Sequence, residues 1–373
     1  MKNCPLCLNR RITLRHEVNR FQYFFCDHCQ VLILDDIASF KNLKNYYQNE
    51  FDYQAALANE KRLKDQGRKI LINLRALNPK GKSLLDIGSG FGFFLEEAKS
   101  AGLTAIGIEP SLKLAAATKQ KKLAVVNQTF EAYFHQRSNK KFDYITMINV
   151  LEHISDPFNW LRMASSLLNK NGILYLETPN LNSFLYRAEK DGYTFLTPPD
   201  HRWIFSLTAL VNLVRNISSL KVVKVSTYSY PEHLVGIVRK IIRNMSNHTN
   251  PQTFCHPTPR TKGSKSLFCH PELVSGSHFR MLKSSLVSLF QQMKNNKIDI
   301  RKLKCIGYNH LDTEKINGVF SQTVNKGVDN KPNLSKKLKY LLFDKIIAPF
   351  ITPILNLNNN GSILSLYLQF YPS

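Results

Sequence analysis

The chain of 373 residues has no run of 18 uncharged apolar residues, which excludes an ordinary membrane-spanning helix. Its basic start, MKNCPL, is not followed by an apolar core of the kind a secretory leader needs, so a cytoplasmic location is expected. Acidic residues are scarce, 27 Asp and Glu against 51 Lys and Arg, for a net charge of +24. The shortage is uneven. Residues 1–200 hold 20 acids against 27 bases, whereas residues 201–373 hold 7 against 24. Within the second half, residues 231–340 carry 6 against 19 with weak periodicity, which reads as a solvated basic insert, with a nucleic-acid track as the alternative. What is present in quantity is apolar: 43% of the residues are hydrophobic, enough for one main domain with additions.

Residues 82–110, KSLLDIGSGFGFFLEEAKSAGLTAIGIEP, read as one complete nucleotide-binding unit. An apolar run (Leu84, Leu85, Ile87) reaches Asp86, Gly88, Gly90 and Gly92, and a helical pattern (Phe93, Phe94, Leu95, Ala98) closes at Gly102. A second apolar run, Thr104 to Ile108, stops at Glu109, as the tip of a neighbouring parallel strand should. Glycines let the backbone come close to a ligand at the mouth of a doubly wound sheet, and the acid about 20 residues beyond the first glycine is placed to accept hydrogen bonds from ribose hydroxyls. The third glycine of the dinucleotide fingerprint is missing, because residue 93 is Phe.

The pattern D-x-G-x-G-x-G from Asp86, followed by Glu109, resembles motif I and the second-strand acid of class I S-adenosylmethionine-dependent methyltransferases. The resemblance implies an α/β, doubly wound, Rossmann-like seven-stranded sheet, the methyltransferase fold. It implies S-adenosyl-L-methionine as cofactor, held by Asp86, Gly88, Ser89, Gly90, Gly92, Glu109 and Pro110. A short strand, Ala124 to Val126, then leads to Gln128, Phe130 and Glu131, where the family surrounds the adenine; the usual acidic dipeptide is absent. FDYITMINVLEHISDP, residues 142–157, matches the family segment vLEHv.dP at Leu151, Glu152, His153, Asp156 and Pro157. It adds Asn149 and Leu151 to the cofactor mouth. His153 is a candidate general base, since its unperturbed pKa lies near neutrality, or a residue that shapes the pocket. Glu152 caps the next helix, walls the pocket or binds a metal.

That helix is expected over Phe158 to Leu168 with a stop at Asn171 and Gly172. Residues 193–206, YTFLTPPDHRWIFS, resemble the family's element after the fifth strand and bring in His201 as a second catalytic candidate, with Tyr193 and Trp203 either facing the methyl group or packed. Leu220 to Tyr228 give a sixth strand. The family pairs its sixth strand with a seventh, and the best seventh strand, Ser362 to Phe370, lies more than 130 residues downstream.

Four of the seven cysteines fall as Cys4, Cys7, Cys26 and Cys29, two C-x2-C pairs 18 residues apart. Such pairs present four thiolates to one tetrahedral Zn2+, and a Cys4 site leaves no open position, so the metal holds the fold; redox pairing is the alternative. His16 and His28 are expected at the surface. A Cys4 ribbon, a Tyr46–Tyr47 segment and the core resemble a bacterial group of glycan- or sugar-nucleotide-tailoring methyltransferases, in which the N-terminal module leans over the substrate mouth.

The expected layout is a zinc ribbon at 1–40, a connecting helical segment at 41–80, the cofactor-binding core at 81–230, a basic low-order insertion at 231–333, and a C-terminal helix and last strand at 334–373. In the insertion, Cys255, His256, Cys269 and His270 belong to an irregular repeat. The helical stretch 334–357, with Lys336, Lys337 and Lys339 before it, either packs on the sheet or touches an anionic membrane surface. The reading is a methyltransferase acting on a small-molecule, sugar or lipid-linked glycan acceptor. An RNA base methyltransferase and a non-catalytic adaptor are the alternatives, the first without an N-P-P-[YF]-type motif here.

Overall fold

A computed structural model describes residues 3–8, 10–35, 57–137, 139–230 and 361–372. The expected insertion, the helix at 334–357, the two Cys-His pairs and Tyr46 and Tyr47 lie outside the described residues. In the N-terminal part, β1 (Ile12–Val18), β2 (Phe21–Cys26) and β3 (Val31–Leu34) form an antiparallel meander. There follow α1 (Glu60–Leu77), β4 (Ser83–Ile87), α2 (Phe93–Ser100), β5 (Thr104–Ile108), α3 (Leu112–Gln120), β6 (Val125–Val126), α4 (Phe130–Arg137), β7 (Phe142–Ile148), α5 (Pro157–Ser166) and β8 (Leu168–Pro179). The chain continues through α6 (Phe184–Glu189), β9 (Trp203–Phe205), α7 (Leu207–Arg215), β10 (Leu220–Tyr228) and β11 (Ile363–Phe370).

The main sheet has seven strands in the order β10-β11-β8-β7-β4-β5-β6. Pairings among β4, β5, β6, β7 and β8 are parallel, and β11 runs antiparallel between β8 and β10. Chain order reverses between β4 and β7, which opens a crevice beyond their carboxyl ends, the usual ligand position in such sheets. Residue alternation sorts the two faces. Leu84, Tyr144, Ile173, Tyr175 and Tyr367 pack under Ile70, Leu71 and Leu74 of α1 and Phe94 and Leu95 of α2. Leu85, Ile145, Leu174 and Leu366 face Leu161 and Ala164 of α5 and Leu210 and Val214 of α7.

Two helix starts follow local chemistry. Asp156 accepts from the Asn159 N–H at 3.0 Å with Pro157 next in line, and Ser206 accepts from the Ala209 N–H at 3.0 Å. The α5 stop differs from the expectation. The helix ends at Ser166, and Asn171, with φ +63°, sits inside β8. Leu168 already pairs with Phe142 of β7, and the Asn171–Gly172 kink absorbs the register shift before Ile173 pairs with Tyr144.

The small sheet is completed by the core itself. β9 pairs antiparallel with β3, Leu32 opposite Ile204, so the order is β1-β2-β3-β9. His16 is not at the surface as expected: it is 7% exposed, with Nδ1 2.8 Å from Asp191 Oδ1 and Nε2 2.8 Å from Tyr186 Oη, because β1 lays its inner face on the segment after β8. Among the described residues no helix is long and apolar enough to cross a membrane.

Leu366 of β11 is fully buried between Leu176 of β8 and Val225 of β10. Leu366→Ala is expected to cost about 2–5 kcal/mol in urea unfolding, against little change for Lys221→Ala on exposed β10 backbone, if β11 belongs to the same cooperative core.

Candidate active site

The glycine turn leaves β4 under tight control. Gly88 and Ser89 both donate to the Ile108 carbonyl, at 2.9 and 3.1 Å. Gly88 has φ +75°, and a Cβ there would lie 2.6 Å from Val150 Cγ2, so only glycine fits. Gly90 is the opposite case: φ is +52° and nothing lies within 4 Å of where its Cβ would be. The turn therefore presses on the segment just after β7 at one point and opens outward at the next.

Glu109 ties this turn to the following helix. Its carboxylate accepts from the Gly90 N–H at 2.9 Å and the Ser111 N–H at 2.8 Å, and the residue is 6% exposed. Burial raises its pKa, and the two N–H bonds oppose that rise. One donor on each oxygen leaves accepting capacity on both. Asp86 is 3% exposed and accepts from Thr146 Oγ1 at 2.7 Å. Burial, reinforced by the Glu109 charge and opposed by the Thr146 bond, pushes it up to about 7. Thr118 Oγ1 donates to the Gly90 carbonyl at 2.9 Å, holding the turn over α3.

Of the other expected cofactor residues, Pro110 and Asn149 are exposed, and Asn149 has φ +52° with its N–H donated to the Glu177 carbonyl at 2.9 Å. Gln128 Nε2 donates to Gln136 Oε1 at 3.1 Å, while its Oε1 is buried with no partner, as is Ser89 Oγ. Phe130 is 1% exposed, its ring 5.1 Å from that of Trp160, and Leu151 is 1% exposed in the core. Glu131 accepts from Trp160 Nε1 at 2.8 Å, which ties α4 to α5. Asn127 was not expected: its Nδ2 donates to the Glu109 and Pro110 carbonyls at 2.8 and 3.1 Å, bracing the backbone behind the acid. An Asn one residue past a short strand was the only available signal.

His153 and His201 do come together, their ring centroids 4.8 Å apart. The group between them, Asp200, escaped the sequence reading. Its Oδ1 lies 3.0 Å from His153 Nδ1, and its backbone carbonyl lies 3.1 Å from the same nitrogen. Burial works against the charge on His153, but the Asp200 carboxylate outweighs it and raises the pKa to about 9. Burial and the neighbouring His153 charge instead lower His201 to about 4, and its Nδ1 lies 2.8 Å from the Phe195 carbonyl. Glu152 is fully buried, and burial raises it to about 7, opposed by the neighbouring His153 charge and the Thr178 hydroxyl. It caps no helix, that place being taken by Asp156. Trp203 and Tyr193 are packed, Trp203 donating to the Ile154 carbonyl at 2.7 Å and Tyr193 to the Asn180 carbonyl at 3.1 Å.

The four N-terminal cysteines converge. Their sulfur atoms lie within 4.8 Å of one another, with Cys4 to Cys29 at 3.8 Å and Cys7 to Cys26 at 3.7 Å, and no disulfide joins them. The edge of a tetrahedron with 2.3 Å metal–sulfur bonds is about 3.8 Å. The donor set thus fits one tetrahedral cation.

These buried charges fix a pH response. Asp86 and Glu152, raised to about 7 from ordinary values of 3.8 and 4.5, bind protons in the folded state that the unfolded chain has released. Stability of the cofactor-free protein should therefore fall as pH rises from about 4 to 7, and Asp86→Asn should make that slope shallower in urea unfolding. His153, raised to about 9 from 6.5, stabilises fully below pH 6.5 and loses that contribution through pH 9, a fall that Asp200→Asn should flatten.

Comparison with known proteins agrees with this geometry. Residues 58–218 match the family described as "Methyltransferase domain". Ubiquinone biosynthesis O-methyltransferase of Coxiella burnetii is 30% identical over 122 residues, covering 31% of this chain and 52% of that protein. The protein of the same name from Xanthomonas campestris pv. campestris is 32% identical over 158 residues, covering 36% of this chain and 63% of its own length. The chain thus spans between half and two thirds of the curated relatives it matches. Among solved structures, a SAM dependent methyltransferase from Archaeoglobus fulgidus is 20% identical with a TM-score of 0.42, over 52% of this chain and 92% of that one. The family match thus falls on the stretch that carries the glycine turn and all five parallel strands of the main sheet, and residues 58–218 are similar to a methyltransferase domain.

Proposed function

We propose that the protein transfers a methyl group from S-adenosyl-L-methionine to an oxygen of a small-molecule, sugar or lipid-linked glycan acceptor. The observation that carries the reading is the Glu109 carboxylate, held by the Gly90 and Ser111 N–H groups beside the open space over Gly90. Glu109 would take the ribose hydroxyls, and Asp86 with Gly88, Ser89, Gly90 and Gly92 the aminoacyl end. Gln128, Pro110, Asn149 and the ends of Phe130 and Leu151 would border the adenine and the mouth. The unpartnered Ser89 Oγ and Gln128 Oε1 fit a polar ligand there. The curated relatives, whose name specifies O-methylation, favour an oxygen acceptor.

In a direct displacement the sulfur–methyl bond breaks as the acceptor–methyl bond forms. The protein's task is alignment and exclusion of water. His153, paired with Asp200, would receive the acceptor proton. At neutral pH this pair holds its proton, so the rate should climb toward pH 9. His201, kept neutral, would border the same space. Cys4, Cys7, Cys26 and Cys29 would hold one structural Zn2+, which suits a reducing, cytoplasmic setting. The adaptor reading, which rests on the insertion, and a membrane contact through 334–357 draw on residues outside those described; the RNA reading rests on the cysteine ribbon and the basic charge.

Titration of the full chain with S-adenosylhomocysteine should give one saturable heat per chain, abolished by Asp86→Ala and by Glu109→Ala. Absence of heat from the folded wild type would overturn the reading. Metal analysis should find about one zinc per chain, and chelation should expose the β1–β3 segment to proteolysis before the main sheet.

A further inference from the structure

The segment that carries Asp200 is held from the cysteine module, and one side chain there reaches it directly. Backbone polar groups away from water must each find a partner, and residues 200–203 show where theirs go. The N–H groups of Asp200 and His201 donate to the Thr197 carbonyl at 2.9 and 3.1 Å. Those of Arg202 and Trp203 donate to the Glu152 carbonyl at 2.8 and 3.1 Å. The carbonyls turn elsewhere. Asp200 offers its own to His153 Nδ1 at 3.1 Å, beside its carboxylate at 3.0 Å. The next two carbonyls are taken by the module: His201 accepts from Tyr23 Oη at 2.7 Å, and Arg202 accepts from the Leu34 N–H at 2.9 Å. Tyr23 and Leu34 stand opposite each other across β2 and β3. One rung of the module thus grips two consecutive peptides.

Tyr23 makes its half of the grip with a side chain, so that half can be removed without touching the backbone. The ring is fully buried among Leu32, Leu34, Leu196 and Ile204. Burial, and after it the Asp200 charge, raises the Tyr23 hydroxyl above its ordinary value. The group therefore stays a donor, within the field of the Asp200 carboxylate. Its acceptor, the His201 carbonyl, is one residue beyond the Asp200 carbonyl, so anchoring it limits how far the Asp200 peptide can rotate or withdraw. Two oxygens of Asp200 meet a single nitrogen of His153, and both distances depend on that placement. Burial opposes the charge on His153, and the groups that restore it are Asp200 first and Glu152 after it, while the His201 ring, 4.8 Å away, is held neutral. Asp200 and His201 both lie on the segment that Tyr23 holds. Tyr193 gives the comparison: it belongs to the same buried cluster and donates to a carbonyl at 3.1 Å, but that carbonyl is Asn180, at the end of β8.

We propose that Tyr23 is a positioning residue, through which the cysteine module holds Asp200 against His153. The proposal rests on the methyltransferase reading, in which His153 takes the acceptor proton, and adds control of that residue from the N-terminal strands. Tyr23 touches no ligand in this role. Loss of its hydroxyl leaves the His201 carbonyl without this donor, the segment relaxes, and the ion pair at His153 loosens. The climb of the rate with pH then moves to lower pH.

The test is the titration of His153 itself, followed by NMR in the full chain carrying 13C at histidine Cε1, with neither cofactor nor acceptor added. The His153 signal is the one lost in His153→Gln, and urea unfolding reports that each variant folds. The wild type should titrate near pH 9, and Asp200→Asn should lower that midpoint by roughly 1–3 units. Tyr23→Phe, which removes one hydroxyl and keeps the ring, should lower it by about one unit. Tyr193→Phe, which removes a comparable buried bond, should leave it in place. An unmoved midpoint in Tyr23→Phe, an equal shift in Tyr193→Phe, or a wild-type midpoint no higher than that of Asp200→Asn would overturn the proposal. Should Tyr23→Phe not fold, the wild type decides: the Tyr23 ring signals, assigned through the backbone, should move with the His153 midpoint while those of Tyr193 stay still, and Tyr23 signals flat through that midpoint count against the proposal. A wild type that binds no S-adenosylhomocysteine defeats the methyltransferase reading, a separate result, since the titration needs no cofactor.

Discussion

The arrangement of this protein depends on one carboxylate reaching back across a strand. Glu109 ends β5, yet its two oxygens are engaged by Gly90, in the turn after β4, and by Ser111, at the start of α3. Neighbouring strand tips and a helix start are thereby fixed to one another. A buried carboxylate is costly unless charge-assisted hydrogen bonds meet it, so the turn cannot drift without leaving that charge unsatisfied. Under the proposed function, what stabilises the loop would also prepare it for a hydroxylated ligand.

The central unit was legible because each of its signals is local. Strand, glycine turn, helix and strand follow one another within 29 residues, and Gly88 is dictated by contact with Val150 in the adjoining strand's exit loop. The seventh strand was legible from its own pattern, though its partners β8 and β10 lie far back in the chain. The cysteines were legible from spacing. Asp200 was not. It follows two prolines in a segment whose path is set by β9 joining β3, and no sequence period encodes a contact between residues 153 and 200. His16 misled because a polar residue in an exposed-looking strand gives no sign of a partner 175 residues away.

The N-terminal module is bound to the core by backbone pairing as well as by side chains. β9 supplies the fourth strand of its sheet, and Tyr23, fully buried, donates to the His201 carbonyl at 2.7 Å. The segment carrying Asp200 and His201 therefore has one end in the cysteine module and the other against the Glu152 carbonyl, which accepts from the Arg202 and Trp203 N–H groups. A cation that orders the four thiols would order this segment too. That gives the module a mechanical connection to the β7 tip without requiring it to touch a ligand.

Electrostatics divide the mouth into two unlike sides. On the Asp86 side, burial favours the neutral acid, since Thr146 offers one hydroxyl and Glu109 adds a like charge. On the His153 side, burial is overcome by an adjacent carboxylate, and the favoured form is an ion pair. A cationic sulfonium ligand would reverse the balance at Asp86, because a positive charge nearby stabilises the carboxylate, while it would make the imidazolium at His153 less favourable. Binding and proton release would then point in the same direction: a ligand that ionised Asp86 would also weaken the hold of His153 on its proton. Under the proposed function the carboxylates at 86 and 200 would act as counterweights, one accepting the charge that arrives and the other limiting how readily the neighbouring imidazole gives its proton up.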